Sequence, residues 1–145
     1  MPHPTRLATA ALATLATLTL TLASPAGAAS RTPVAMTVHT AFDAATARFT
    51  ATVPGCESGV VTDIDPRTTF NTRGGGTFTG TKSFACDEGG GFDLLLAARF
   101  GPGGSVGSWH VVSGSGGFAG LKGQGSLVGI PSSIGIDDIY TGLFR

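Results

Sequence analysis

Few side chains in this sequence are equipped for chemistry, and none repeats at a spacing that catalysis or metal binding requires. Lys82 stands in the run Thr77-Phe78-Thr79-Gly80-Thr81-Lys82-Ser83-Phe84. It shares strand parity with Phe78 and Phe84, so a strand that buries those rings carries an amine inward with them. The blander alternative puts Lys82 at a rim, with its stem on apolar surface and its ammonium in water. Trp109 is the only tryptophan, and His110 beside it is the only histidine in the middle of the chain. Neighbours on a strand face opposite ways, so parity alone leaves open which of the two looks inward. Pockets favour aromatic walls with a few polar groups, and Lys82, Trp109 and His110 are therefore the candidate ligand-binding residues. His39 falls on the polar side of its segment. Asp93 and Arg99 oppose Phe92, Leu94 and Leu96, where an ion pair is worth little. Asp137-Asp138 reads as a solvated loop rather than a paired-carboxylate site.

Several reaction classes lose support at once. A metal site would need carboxylates near His39 or His110 at ligand spacing, and none is visible. No G-x-S-x-G elbow sits in a strand–turn–helix context, and Gly114-Ser115-Gly116 lacks that setting. A phosphate cradle along the glycines from Gly114 to Gly125 would need a following helix, whereas Leu127-Val128 reads as strand. No catalytic residue, metal ligand or cofactor is assigned, and the balance leans away from an enzyme.

The two cysteines, Cys56 and Cys86, lack both the close C-x-x-C spacing of redox motifs and further metal ligands. An isolated pair in an exported chain reads as a disulfide. Export is itself expected from the first 28 residues. Arg6 supplies a positive start, and residues 7–23 are uncharged and leucine-rich. Pro25 follows, and Ala26-Gly27-Ala28 offers an A-x-A-like cleavage site. A membrane anchor fits less well, because threonine dilutes the apolar stretch and it falls short of about 20 apolar residues. Cleavage near Ala28 leaves residues 29–145 as one domain with a formal charge of −1. That balance carries no electrostatic footprint for nucleic acid or for an anionic membrane, so the exported domain is read as soluble and extracellular.

Elements that would position these residues are strands. Glycine, 23 residues of the chain, is spread between short apolar runs, and alternation replaces helical periodicity. Val34, Met36, Val38 and Phe42 share one parity; Phe49, Ala51 and Val53 share another after a turn at Asp43-Ala44-Ala45. A weaker strand at 59–64 is followed by a turn at Asp65-Pro66, and 68–72 forms another short strand. Loops at 73–76, 88–91 and 101–104 separate strands at 77–85, 92–100 and 106–113, with the last strands at 124–130 and 139–144. Seven to nine short antiparallel strands suit a β-barrel or sandwich. Glycines inside strands, at 80, 107, 125 and 142, permit strong curvature and favour a closed or nearly closed barrel of about eight strands.

The most distinctive segment is Ser113-Gly114-Ser115-Gly116-Gly117-Phe118-Ala119-Gly120-Leu121-Lys122-Gly123-Gln124-Gly125, a strand, a glycine corner with one aromatic plug, and a return strand. It resembles the S-G-T-G-x-F-x-G-L-x-G-x-G signature of the allene oxide cyclase/dirigent-like barrel superfamily, without the threonine after Gly114. Gly76-Thr77-Phe78-Thr79-Gly80 and Tyr140-Thr141-Gly142 also look like that family. The resemblance implies an eight-stranded antiparallel barrel with a central cavity, and it carries over no catalytic residue. The expectation is a secreted β-barrel that holds an apolar or aromatic small molecule. The alternatives are a cyclase- or dirigent-like barrel enzyme and an extracellular interaction or inhibitor protein acting through glycine-rich loops. Intact-mass analysis of exported protein should place the N-terminus at Ala29 or Ser30; a chain still carrying Met1 would remove the export reading.

Overall fold

The computed structural model describes residues 30–43 and 46–145. The segment read as a signal peptide, and Ala44-Ala45 of the first turn, lie outside them. Alternation of apolar and polar residues becomes strand wherever it was legible: β1 (Thr32–Ala41), β2 (Ala47–Ala51), β3 (Ser58–Phe70), β4 (Gly76–Cys86), β5 (Gly91–Gly101), β6 (Gly104–Ser115), β7 (Gly123–Pro131) and β8 (Gly135–Phe144). Each strand pairs antiparallel with the next, and β8 returns to pair with β1, closing an eight-stranded barrel. A 3-10 turn at Gly116–Phe118 joins β6 to β7.

One side of every strand fills the interior. Val34, Met36, Val38, Phe49, Val61, Phe84, Phe92, Leu94, Leu96, Trp109, Leu127, Tyr140 and Phe144 are buried there. Eight strands leave an inside only wide enough for side chains, and the large residues fit because glycines face them. Trp109 lies across Gly125 and Gly142, where an added Cβ would strike its ring at 2.5 Å from either side.

Two expectations need correction. The stretches at 59–64 and 68–72 are a single strand, β3, and Asp65-Pro66 is a bulge in it rather than a turn. Pairing with β4 steps from Ile64–Thr81 to Arg67–Thr79, so two residues face the one position of Gly80. Pro66 has no N–H to give the ladder, and Asp65 takes a left-handed φ of 50° that aspartate tolerates. Phe42, grouped with the inward residues of β1, lies just past the strand's end and is exposed.

The barrel has two unlike ends. At one, the Phe84 ring stacks on Phe92 at 5.2 Å and meets Phe49 edge-on at 5.1 Å, while Phe92 also meets Phe144 and Phe118 at 5.3 and 5.7 Å. Phe118, on the glycine corner, plugs this end. The Cys56–Cys86 disulfide ties the β2–β3 connection to the last residue of β4 at the same end, with Cα atoms 5.0 Å apart. At the other end, where β5 turns into β6 and β7 into β8, the interior stays open. Removing the disulfide with Cys56→Ser and Cys86→Ser together should lower unfolding free energy by about 3–4 kcal/mol, the chain-entropy value for a loop of this length. Denaturant titration checks it, and an unchanged midpoint would mean that the sheet alone holds the loop.

Candidate functional site

The open end contains a cavity of about 220 Å³ whose walls are mostly apolar: Phe78, Leu96, Ala98, Leu127, Pro131 and Ile136. This is below the roughly 300–1,000 Å³ of pockets for drug-sized ligands, so its natural scale is one ring or a short chain. Exposed Phe42, Phe70 and Ile134 stand at the same end, with the Phe70 and Phe100 rings 5.6 Å apart. The rim is therefore apolar too, as an entrance for an apolar molecule needs to be.

Polar groups enter this cavity from three strands. Lys82 is inward on β4, one step nearer the mouth than Phe84, and only 10% of its side chain is exposed. Its direct cross-strand partner is Asp63 on β3, and the ammonium donates to Asp63 Oδ1 at 2.7 Å. The ammonium also lies 5.4 Å from the Phe78 ring centroid, within cation–π range. Of the two placements that strand parity left open for Lys82, the structure has the inward one, and the partner that makes its burial tolerable sits across the ladder and could not be paired from sequence.

Asp138 is the residue that sequence reasoning misplaced. Asp137-Asp138 is not a loop: both belong to β8, and alternation separates them. Asp137 points outward, where its Oδ1 lies 2.6 Å from Nδ1 of His39, its register partner on β1. Asp138 points inward and lines the cavity. Burial holds its carboxyl above the ordinary carboxylate range; Lys82 pulls it down, and Asp63 and Asp137 push it up. Beneath it on the same strand, the Tyr140 hydroxyl is buried with no hydrogen-bond partner among the described residues. Burial, followed by the fields of Asp138 and Asp63, pushes that phenol far above its usual value.

The other two candidates stay out of the cavity. Trp109 is buried in the packed part of the interior, its indole N–H donating to the Ser126 carbonyl at 3.0 Å and its ring edge-on to Phe144. Consecutive on β6, His110 faces out and is exposed. A bulge at Val112, between the Asp93–Ser113 and Leu94–Val111 pairs, resets parity beyond this point but leaves the two residues on opposite faces. Asp93 and Arg99 are on the outer face as expected, and Asp93 accepts from Ser113. Among the described residues, no group of three or more His, Cys, Asp or Glu side chains is placed to hold a metal ion. Comparison with protein-family models and with curated proteins finds no match to this chain.

The native state keeps a proton on Asp138 that the unfolded chain releases at lower pH. Its contribution to stability is therefore complete at acid pH and is lost as pH rises through the raised folded value. Asp138→Asn should flatten that part of the profile and unfold at an equal or higher temperature at neutral pH. Thermal unfolding of parent and variant from about pH 4 to pH 8, a span starting near the ordinary carboxylate value, makes the comparison. An identical pH slope in the two proteins would show that the carboxyl is not burdened by burial.

Proposed function

We propose that this chain is an exported binding protein whose barrel holds a small apolar or aromatic molecule in the cavity at its open end. The observation that carries the reading is the contrast within one interior. The disulfide end is filled by interlocking phenylalanines, while the opposite end keeps an apolar-walled space open to solvent. Export is supported by the three-part pattern of residues 1–28 and agrees with a disulfide, a bond that persists in oxidising compartments. Membership of the allene oxide cyclase/dirigent-like superfamily is part of the same proposal, supported by the glycine corner from Ser113 to Gly125 and by an antiparallel eight-stranded barrel around a cavity. A second reading, turnover of the bound molecule, is favoured by one feature: Asp138 and Lys82 place an acid/base pair at the cavity wall.

Titrating 2-phenylethanol into isotopically labelled protein and following amide shifts by NMR tests the binding reading. Shifts should concentrate at Phe78, Leu96, Ala98, Leu127 and Ile136. Ala98→Phe, which fills the space from β5, should abolish them while circular dichroism shows the barrel retained. Shifts confined to the outer surface, or unchanged in the filled variant, would defeat it.

A further inference from the structure

Ser105, Gly129 and Asp138 form a row across three strands at the open end: Ser105 on β6 is the register partner of Gly129 on β7, and Gly129 is the partner of Asp138 on β8. All three share the inward parity of Trp109, Leu127 and Tyr140. The middle position has no side chain, and both neighbours lean over it. A Cβ at Gly129 would collide with Ser105 Oγ and with Asp138 Oδ1. A hydroxyl oxygen and a carboxylate oxygen therefore gather where a methyl group would otherwise stand, and Ser105 and Asp138 both line the cavity.

Charge decides what such a niche accepts. Among the described residues, the ionisable groups lining the cavity are Lys82 and Asp138; Tyr140 is buried beneath Asp138 on β8, and Asp63, of inward parity on β3, is exposed beside Lys82. Lys82 is already bonded to Asp63. From β1, His39 is outward and bonded to Asp137. No residue of β7 is ionisable. Arg99 on β5 and His110 on β6 are exposed on the outer face, and Asp65 and Arg67 are exposed around the β3 bulge. Two carboxyl groups thus face one ammonium, and the surplus one is Asp138.

We propose that the cavity takes a small molecule carrying a primary ammonium on an apolar, ring-sized body, with the ammonium held by Asp138 and Ser105 over Gly129. The inference rests on the cavity-binding reading above and adds the head group. A protonated amine brings three N–H donors. Asp138 and Ser105 take two, and the third faces the water of the mouth. A charge-assisted bond to a carboxylate in a partly desolvated site is the stronger kind. The Phe78 and Phe100 rings that line the cavity offer further attraction for a cation passing them, and Leu96, Ala98 and Leu127 receive the apolar body. A carboxylate head meets the opposite situation, because it would approach the surplus carboxyl, and the one ammonium on the cavity wall, Lys82, is already neutralised by Asp63. Because burial favours the protonated form of Asp138, an ammonium that pairs with the ionised form binds more tightly as pH rises through that titration.

Calorimetric titration with three probes of one shape tests this: 2-phenylethylamine, 3-phenylpropionate and 2-phenylethanol, against parent, Asp138→Asn and Gly129→Ala. In the parent at neutral pH the amine should bind at least about ten-fold tighter than the acid. In Asp138→Asn that gap should shrink to within about two- to three-fold, since the charge is gone and the shape kept. Gly129→Ala is a second, independent route. The two closest atoms to its Cβ are side-chain oxygens, with Ser105 Cβ next at 3.3 Å and no backbone atom among the three nearest, so the methyl pushes the head-group site apart while the strand persists, and alcohol binding reports that the cavity survives. Equal or tighter binding of the acid, or an amine preference that outlives Asp138→Asn, overturns the proposal. Alcohol binding with no amine preference overturns the head-group assignment alone, whereas silence from all three probes overturns the cavity reading beneath it.

Discussion

When β8 pairs with β1 from Thr32–Phe144 through Ala41–Gly135, an eight-stranded sheet loses its two edges and acquires an inside. Everything that follows is a question of how that inside is filled. A barrel this narrow cannot accept a large residue from every strand at the same height, so bulk on one strand demands its absence on another. Trp109 reaches across the interior because Gly125 on β7 and Gly142 on β8 present only backbone to it. The glycines of this chain are as much packing residues as turn residues, and the closed seam is what makes their missing side chains necessary.

The same economy of volume separates the two ends. Large inward residues fall toward the disulfide end: Phe49 midway along the short β2, Phe84 late in β4, Phe92 early in β5 and Phe144 at the close of β8. Inward positions toward the other end are smaller, including Ala98, Ser105 and Gly129. The disulfide lies beside the aromatic cluster, so the covalent staple and the densest packing reinforce the same end. What remains open is the end joined by short turns and ringed with apolar side chains. Stability and accessibility are divided along the barrel axis.

Local alternation made much of this visible before any coordinates. The inward apolar faces of β4 and β5 and the pairing of Cys56 with Cys86 follow from period-two patterning or cysteine count, and patterning offered the inward direction of Lys82 as one of two readings. What escaped depended on partners remote in the chain. Asp65-Pro66 looks like a turn because an Asp-Pro pair usually marks one; it is a bulge because β4 places Gly80 opposite it. Asp137-Asp138 looks like a solvated loop because adjacent acids usually are; β1 recruits the pair into a strand, giving His39 to one carboxylate and leaving the other inside. Parity could not rank Trp109 against His110, since either direction satisfies alternation. Closure decides it, because β7 and β8 bring Gly125 and Gly142 together and the Trp109 ring lies over both.

Inside the cavity the polar groups are unequal in what they do for the fold. Lys82 is compensated: Asp63 lies directly across the ladder, and together they neutralise a charge that would otherwise be costly to bury. Asp138 is not compensated to the same degree, since burial and two neighbouring carboxylates all resist its ionisation and only Lys82, already engaged, favours it. The Tyr140 hydroxyl below it has no hydrogen-bond partner among the described residues. The Tyr140 ring packs edge-on against Phe84 in the core, so its place is explained by folding, whereas burial opposes the charge of the carboxyl at 138. A reason for that carboxyl appears once the open end is treated as a place that something occupies. A carboxyl standing over a glycine, beside a hydroxyl and within apolar walls is costly in an empty barrel, and that cost is what the proposed cation with an apolar body would relieve.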